Sequence, residues 1–432
     1  MKRSIAILLS VLLLLSISAA AFADAGEVTW GMAGATETVM NQVNELEAGP
    51  CFEATGIKFI PKIYADRTTF PIEVAGGAGP DIMDLDGPTD VVEFIKAGQV
   101  YDLTPYIEEY GWADKFMDWA LESCSYAGVV YSLPTSYEGM GLYYNVDVMK
   151  EHGWEIPNSL AGLEALFDEI LAAGLTPVSF GNSNYQGAVD WLYSTFLSCY
   201  AGGTKNIKAV LEGEGTLYSN EGTRAAVQRL VDWYAKGYID NNSTGISTDD
   251  MIARFAFGDA VTMIDGTWGM NALTVDYPDC NWTFELMPPE VEGEPAIFPI
   301  AVGGAAAING NCKNPEEAAK VMNFRFFENE DNCYINMVKN GAQPFPVLWF
   351  DSAKLEGLDP KLIHAYDVMN EAMAAGNVGY CSWTFYPADC RVYMNENTDT
   401  IFLGLMSVED YLNGAQAYID EAIATGVSPV VP

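Results

Sequence analysis

The stretch VTMIDGTWGM, from Val261 to Met270, carries a tryptophan at the point where a short buried strand is expected to end. Gly266 and Gly269 lie close to Trp268 on either side, so little bulk surrounds the largest of the side chains. A flat ring on such a backbone can be held at the edge of a cleft as well as folded into the core. A core position is the alternative, because tryptophan is usually buried.

Recognisable catalytic and metal-binding motifs are missing from the chain. The two histidines, His152 and His364, have no metal-ligand spacing, and no HExxH, Walker, GxGxxG or GxSxG sequence is present. The stretch DLDGPTD at 84–90 faintly resembles a calcium loop, but it lacks the ladder of ligands and the closing glutamate. Carboxylates are so numerous that a two-carboxylate glycosidase mechanism stays open. We predict neither a metal nor a cofactor.

The first residues have the pattern of a secretory signal peptide. Lys2 and Arg3 precede an apolar run that ends in A-F-A at Ala23, which predicts cleavage after Ala23. The run is too short, with the wrong flanks, for a membrane span. No cysteine follows closely enough to carry a lipid anchor, because the first is Cys51. We therefore expect an exported, soluble protein in the periplasm or at the cell surface.

The charge of the chain excludes polyanionic partners. A formal net charge of −38 becomes −40 if Lys2 and Arg3 leave with the signal peptide. Such a charge repels nucleic acid and anionic lipid headgroups. The acidic residues are scattered along the chain, which favours a solvated surface over a binding tail.

Eight cysteines follow the predicted cleavage site, and an even number in an exported chain permits disulfides. Proximity in sequence favours two pairs, Cys381 with Cys390 and Cys312 with Cys333. Free buried thiols are the alternative. No C-x-x-C occurs, so a zinc ribbon or a redox motif has no support.

Strands and helices alternate along the chain, which predicts α/β layers with mainly parallel sheets. One helix is predicted by an apolar face from Leu160 to Leu171, capped by Asn158 or Ser159 and ended by Gly174. The region 361–425 is predicted to be all-helical, and a fold with a single α/β sheet does not account for it. Two α/β lobes with a helical extension therefore fit the length of the chain better. The other predicted elements are strands at 27–30, 57–64 and 81–85, helices at 36–47 and 91–97, a TPVSF strand, and a helix from Asn314.

Five segments, in this order along the chain, resemble one family. They are AGGAGPDIMDLDGPTDVVEFIKAGQVYDLTPYI, YSLPTSYEGMGLYYNVDVMKEHGWEIPNSLAGLEAL, FAFGDAVTMIDGTWGM, FPIAVGGAAAINGNCKNPEEAAKVMNFRF and LMSVEDYLNGAQAYIDEA. Together they resemble the signatures of extracellular solute-binding proteins of ABC transporters, in the group of maltose-binding and related sugar-binding proteins. The resemblance implies a two-lobed fold of the periplasmic-binding-protein type II, with a multi-segment hinge.

The same resemblance implies a role for the tryptophan of the first stretch. In sugar-binding members, a tryptophan at the position of Trp268 stacks on a sugar ring, and a second aromatic matches Trp383 in CSWTFYP, with Phe385 and Tyr386 as rivals. A pyranose has an apolar face and a rim of hydroxyls, so it suits flat aromatic rings together with acids or amides.

Further ligand contacts are implied by resemblance alone. Glu138 matches a ligand-contacting carboxylate that lies six residues before a Tyr-Asn pair, here Tyr144 and Asn145. Asp84 and Asp86 align near polar ligand contacts of the family, and the aromatic residue that the family has at this point is missing here. Tyr185 and Gln186 are rivals for the contacts assigned to Asp190 and Trp191. The remaining implied contacts are Thr36, Glu37, Tyr137, Asp265 and Gly303, the last through the backbone amides of VGG at 302–304.

The predicted organisation has three parts. A signal peptide occupies 1–23, an N-terminal lobe occupies 24–134 plus 288–343, and a C-terminal lobe with the helical extension occupies 135–287 plus 344–432. The crossings between the lobes are expected in proline-containing stretches at 132–138, 285–290 and 343–347.

Three functions are weighed from the sequence. The first is a non-enzymatic, monomeric binding protein that captures a carbohydrate, by its resemblance an oligosaccharide, and delivers it to the permease subunits of an ABC transporter. The second is an exported glycoside hydrolase. The third keeps the fold and binds a cationic or amino-acid-like solute instead.

Overall fold

The chain forms two compact units. The computed structural model describes residues 26–33, 37–64, 69–351 and 354–431, so the predicted signal peptide lies outside the described residues. The first unit comprises the described chain up to Asp84, Gly98–Tyr101 and Ala307–Cys333, and the second comprises Leu85–Ala97, Asp102–Ala306 and the chain from Tyr334 onward. The first unit is smaller than the predicted N-terminal lobe, and the lobe boundaries stay a prediction.

The first unit is built on parallel strands. Strand β1 (Glu27–Ala33) pairs with β2 (Lys58–Tyr64) on one side and with β3 (Ile82–Leu85) on the other. These strands confirm the predicted ones. Trp30 on β1 is fully buried, and its ring centroid lies 5.4 Å from that of Phe59 on β2.

Helices accompany this sheet in the first unit. The predicted helix at 36–47 begins at Glu37 in the described part of the chain, and its second half is π-helical. The helix predicted from Asn314 is confirmed, with Pro315 in its first turn. The helical segments of the first unit are Glu37–Val43, Asn44–Ala48, Gly49–Thr55, Thr69–Ala75 and Pro315–Phe327, and Glu330–Asn340 continues into the second unit.

The second unit is organised around one long strand. A short hairpin, β4 (Ser125–Tyr126) and β5 (Val129–Val130), precedes β6 (Leu133–Asn145). The first half of β6 runs antiparallel to β10 (Phe298–Ile308), and its second half runs antiparallel to β8 (Ala260–Gly266) and β9 (Trp282–Glu285). Strand β7 (Thr176–Ser179) pairs in parallel with β8, and β11 (Val378–Tyr380) pairs in parallel with β10.

The C-terminal region is not all-helical, contrary to the prediction. Strand β11 interrupts it, because Val378–Tyr380 adds to the edge of β10 instead of continuing the preceding helix past Gly376. Gly376 has φ of 71°, in the left-handed region that favours glycine at a helix end. Helices on either side of the strand are Pro360–Ala374, Ser382–Phe385, Ala388–Phe402 and Val408–Thr425.

The remaining helices cover the sheet of the second unit. The predicted helix at 160–171 is confirmed: the Ser159 hydroxyl accepts a hydrogen bond from the Gly162 amide, and only Leu171 of the predicted apolar face is exposed. The remaining α-helices are Val92–Lys96, Thr104–Tyr110, Asp118–Ser123, Val146–His152, Leu160–Ala172, Val189–Tyr200, Thr204–Leu211, Glu221–Lys236, Thr248–Ala256 and Gly269–Val275. Single 3₁₀ turns occupy Pro88–Val91, Trp112–Asp114, Gln186–Ala188 and Ser243–Gly245.

The predicted disulfides are wrong. All eight cysteines lie within the described residues, and each is a free thiol. Cys381 donates instead to the Pro299 carbonyl at 3.4 Å, and the sulfur of Cys390 lies 3.9 Å from that of Met394. Proximity in sequence failed here because the thiols point toward different packing partners. The alternative of buried free thiols is the one observed.

Candidate functional site

Strand ends in the second unit bring the candidate residues together. Strand β8 ends at Gly266 opposite Met140 of β6, and the Thr267 amide then donates to the Gly139 carbonyl at 3.1 Å. This bond places Trp268, at the start of the next helix, beside the middle of β6. The short helix Ser382–Phe385 is held next to β10, because the Cys381 amide donates to the Ile300 carbonyl at 3.1 Å.

Three tryptophans form a cluster at this point. The ring centroid of Trp268 lies 5.1 Å from that of Trp191 and 6.0 Å from that of Trp383. The planes of Trp268 and Trp383 are 67° apart, an edge-to-face arrangement, and Tyr185 adds a fourth ring 6.0 Å from Trp191. Trp383 and Trp191 are buried, whereas Trp268 stays partly exposed. Trp268 therefore has ring surface that a ligand can reach.

Glycines make room for two of these rings. A Cβ atom on Gly266 would collide with the six-membered ring of Trp268, and one on Gly87 would collide with the backbone carbonyl of Trp383. Trp268 thus lies over the backbone of the strand that ends just before it. This explains why the sequence places a glycine two residues before the tryptophan.

Glu138 lies beneath the cluster and is 5% exposed. Its Oε1 accepts the indole N–H of Trp383 at 2.9 Å, and its Oε2 accepts an N–H of the Gln343 amide at 2.8 Å. Gln343 also donates to the Thr267 hydroxyl at 2.8 Å. Burial raises the pKa of Glu138 to about 7, although the hydrogen bonds from Gln343 and Trp383 act in the opposite direction.

A second buried carboxyl lies at the end of β8. Asp265 is fully buried, and its Oδ1 accepts the Gly266 amide at 2.9 Å. Burial raises the pKa of Asp265 to about 8, and the negative charge of Glu138 contributes in the same direction. Asp265 therefore binds a proton more tightly than an exposed aspartate does.

A buried cation lies in the same unit. Arg391 donates through Nε to Asp190 at 2.9 Å, through Nη1 to Asp90 at 3.0 Å and through Nη2 to the Tyr185 hydroxyl at 3.4 Å. Tyr185 in turn donates to Asp86 at 3.3 Å. Burial alone would lower the pKa of Arg391, but the two carboxylates raise it, so the guanidinium stays charged. This network ties two predicted contacts, Asp86 and Asp190, to the ring of Tyr185.

Two further predicted residues of the second unit lie on its strands. Gly303 lies at an irregularity of β10, and a Cβ there would collide with the Ser136 hydroxyl and the Glu138 carboxylate. Tyr137 is buried, and its hydroxyl lies 3.5 Å from the Asn370 amide oxygen. Successive side chains of a strand point to opposite faces, so Tyr137 and Glu138 leave β6 on different sides.

The predicted contacts of the first unit lie in different surroundings. Asp84 accepts the indole N–H of Trp30 at 3.1 Å, and its Oδ2 lies 3.6 Å from Nη1 of Arg325. Arg325 also pairs with Glu47 at 2.7 Å and lies over the Trp30 ring, 4.5 Å from its centroid. Glu37 is exposed in the first turn of its helix. Thr36 lies outside the described residues.

The sequence predictions missed Gln343, Thr267 and Arg391. Gln343 begins the QPFPV stretch, where a crossing between the lobes is predicted, and Thr267 stands directly before Trp268. Arg391 is one of 21 basic residues in a chain with 59 acidic ones, and its neighbours in sequence do not distinguish it from the others. Its partners are 201 and 301 positions away in sequence, so spacing could not reveal them.

The described ranges contain neither a metal-binding cluster nor a membrane-spanning helix. In residues 26–33, 37–64, 69–351 and 354–431, no group of three or more His, Cys, Asp and Glu side chains is placed to hold a metal ion. Within the same ranges, no helix combines the length and apolar character needed to cross a membrane.

Solved structures share the fold of this chain. A chitin oligosaccharide binding protein aligns with a TM-score of 0.76 at 21% identity, over 92% of this chain and 99% of its own. The solute-binding protein RafE in complex with raffinose aligns with a TM-score of 0.68 at 18% identity, over 91% of this chain and 99% of its own. The chain thus has the α/β fold of type II periplasmic binding proteins, and the predicted fold class is confirmed.

Sequence comparison defines the family. The profile of the bacterial extracellular solute-binding proteins matches residues 52–326, more than half of the chain. The chain therefore belongs to the bacterial extracellular solute-binding protein family.

Curated relatives match over part of their length. A protein of Mesorhizobium japonicum named "Probable sugar-binding periplasmic protein" is 27% identical over 47% of this chain and 48% of its own. The maltodextrin-binding protein MdxE of Bacillus subtilis is 24% identical over 64% of each chain. The chain thus spans less than two thirds of the length of these relatives.

Proposed function

We propose that the chain captures an oligosaccharide outside the cytoplasm and delivers it to the permease of an ABC importer. The observation that carries this proposal is the tryptophan cluster, with Trp268 partly exposed beside the buried Trp191 and Trp383. The C–H face of a pyranose stacks on flat aromatic rings, and its hydroxyl rim needs acids or amides nearby. The second unit supplies the partly exposed ring of Trp268 and, at Asp86 and Gln343, an acid and an amide that are only partly buried.

The names of the similar proteins support a sugar as the ligand. They include a maltodextrin-binding protein, a chitin oligosaccharide binding protein and a complex with raffinose. The predicted signal peptide supports export, and the multi-segment hinge that the resemblance implies would let two lobes close on the ligand into the form that a permease recognises.

Hydrolysis is less well supported than binding. A glycosidase needs two carboxyl groups that both reach the scissile bond. Glu138 is 5% exposed with each oxygen accepting a protein N–H, and Asp265 is fully buried. Neither carboxyl is thus presented to a substrate.

The deciding experiment is calorimetric titration with maltodextrins, chitin oligosaccharides, raffinose and, for the alternative ligand class, a polyamine, followed by chromatography of the recovered sugar. We expect at least one of these sugars to bind in a saturable way and to be recovered intact. Recovery of shortened sugar would instead show a hydrolase. Binding of amines but of no sugar would support the cationic-solute alternative and overturn the proposal.

Mass spectrometry of what co-purifies with the native protein adds an unbiased test. We expect a mass that corresponds to a few hexose or aminohexose residues. An amino-acid or polyamine mass in stoichiometric amount would contradict the sugar assignment.

A further inference from the structure

Glu138 connects two of the three tryptophans through a chain of hydrogen bonds. Trp383 donates to one of its oxygens at 2.9 Å, and Gln343 donates to the other at 2.8 Å. The second N–H of Gln343 reaches the Thr267 hydroxyl at 2.8 Å, and Thr267 is bonded directly to Trp268. The chain of contacts therefore begins on one ring and ends at the backbone of the next.

Two glycines pack closely against members of this series of hydrogen bonds. A Cβ on Gly303 would collide with the Glu138 carboxylate, and one on Gly87 would collide with the Trp383 backbone. Glycine at each position lets the backbone pack directly against Glu138 and against Trp383. The carboxylate of Glu138 and the backbone of Trp383 are therefore each packed closely against a glycine.

We propose that Glu138 is a positioning residue, which presets the angle between the rings of Trp383 and Trp268 before a sugar arrives. The inference rests on the proposed function, in which the partly exposed Trp268, packed edge-to-face against the buried Trp383, stacks on the sugar. It differs from the role that the family resemblance implies for Glu138, because here the carboxylate acts on the ligand through Trp383 and Gln343.

The physical reason is the freedom of an indole side chain. Two torsions orient the ring, and a hydrogen bond from its N–H to a fixed carboxylate selects one orientation in the free protein. Without that bond, sugar binding has to order the ring, and immobilising a single side chain weakens affinity by roughly tenfold. Preorganisation of this kind alters affinity without removing any direct contact with the ligand.

Variants of Glu138 and Gln343 separate the effect of the hydrogen bonds from the effect of the carboxylate charge. Glu138→Leu removes both acceptors. Glu138→Gln keeps a carbonyl for Trp383, and the Gln343 amide can turn over so that its oxygen accepts from the new side chain and from the Thr267 hydroxyl. The double variant Glu138→Gln with Gln343→Glu keeps a donor and an acceptor in each of three contacts. These are the contacts of Trp383 with residue 138, of residue 138 with residue 343, and of residue 343 with Thr267.

The first readout needs no ligand. Closely spaced indole rings at a fixed angle contribute a coupled signal to the near-ultraviolet circular dichroism spectrum. We take the difference between the wild type and Trp383→Phe as the signature of Trp383. That signature should vanish in the Glu138→Leu background and persist in the Glu138→Gln background. An unchanged signature in Glu138→Leu overturns the proposal.

The second readout is affinity for the member of the maltodextrin, chitin-oligosaccharide and raffinose panel that the wild type binds best. We expect about a tenfold loss for Glu138→Leu, a smaller loss for Gln343→Leu, and near wild-type affinity for Glu138→Gln. A loss of affinity with an unchanged spectrum would make Glu138 a ligand contact, and a changed spectrum with full affinity would show that ring position is irrelevant. Either result overturns the proposal.

Failure of the proposed function is distinguishable from failure of this inference. If the wild type binds no sugar of the panel, the sugar assignment fails, and the ligand-free spectrum still decides whether Glu138 positions Trp383. If Glu138→Leu does not fold, the double variant takes its place against the single variant Gln343→Glu. The signature should be weakened in that single variant, where two carboxyl groups face each other, and restored in the double variant, and failure to restore it contradicts the chain of contacts.

Discussion

Each unit contains a tryptophan whose indole N–H meets a carboxylate, and the two contacts have different surroundings. In the first unit Trp30 donates to Asp84, which also lies 3.6 Å from Arg325. In the second unit Trp383 donates to Glu138, whose other partner is the neutral amide of Gln343. Among the described residues, no Lys, Arg or His side chain forms an ion pair with Glu138.

The difference shows how one contact serves two purposes. With a cation above its ring, Trp30 is fully buried and belongs to an ion-paired core. Without a paired cation, burial dominates and raises the pKa of Glu138 to about 7. The first arrangement stabilises a unit, whereas the second orients rings next to the partly exposed Trp268.

Removing the cation of the first unit should have the largest effect. Arg325→Met leaves Glu47 buried without its partner, and breaking a buried pair in this way costs about 3–5 kcal/mol of unfolding free energy. Chemical denaturation followed by fluorescence measures it. The double variant with Glu47→Leu should recover most of the loss. A cost below about 1 kcal/mol would show that the first unit does not depend on its ion pair.

Truncation of one tryptophan from each unit sharpens the contrast. Trp268→Ala should weaken sugar affinity by about 2–4 kcal/mol, because it removes a partly exposed stacking surface, and should cost the fold much less. Trp30→Ala should instead cost about 3–5 kcal/mol of stability, because the ring is core. Calorimetric titration and thermal melting of both variants provide the comparison. Normal binding with early melting of Trp268→Ala would mean that its ring is core as well.

Two buried carboxyl groups of the second unit, which have no ion-pair partner among the described residues, should make the free energy of unfolding depend on pH. The pKa of Glu138 is raised to about 7 and that of Asp265 to about 8, so each contributes stability that is fully present near pH 4 and is lost as the pH rises through 7 and 8. We expect the unfolding free energy to fall by a few kcal/mol between pH 5 and 9.

The variant Asp265→Asn isolates this contribution. Glu47 also has a raised pKa, caused mainly by burial, and repulsion within the acidic chain adds a slope of its own. Denaturation at several pH values should therefore show a shallower slope for Asp265→Asn than for the wild type. Parallel slopes would mean that Asp265 titrates as an exposed aspartate does.

Salt should have the smallest effect. A neutral sugar held by stacking and hydrogen bonds needs no long-range attraction, so its affinity should change by less than about twofold between low and high ionic strength. Titration at two salt concentrations checks this. A steep fall in affinity would indicate a cationic ligand instead of a neutral sugar.

Much of the fold could be predicted, because many of its helices and strands are specified by local patterns of apolar and capping residues. Apolar spacing and caps located the helices at 160–172 and 315–327, and short apolar runs located the strands of the first unit. Strand β11 escaped because three residues between helices give no periodic signal, and its pairing with β10 is a long-range contact.

The candidate site could be predicted at its aromatic residues better than at its polar ones. Trp268 was marked by its neighbouring glycines, and Gly266 indeed lies under the ring. Gln343 and Arg391 could not be found by pattern, because their partners are more than 70 positions away in sequence. Hydrogen bonds over such distances are set by packing and leave no local spacing in the sequence.

The free cysteines can report which of the two units has unfolded, because alkylation marks the thiols that become exposed. Burial raises the pKa of all eight thiols, so alkylating reagents should react slowly while the chain is folded. Three of the thiols, Cys51, Cys312 and Cys333, belong to the first unit, and five belong to the second. Peptide mapping after a brief pulse of iodoacetamide in denaturant would therefore report the opening of each unit separately. The eight native cysteines therefore serve as probes of unfolding, and no engineered label is needed.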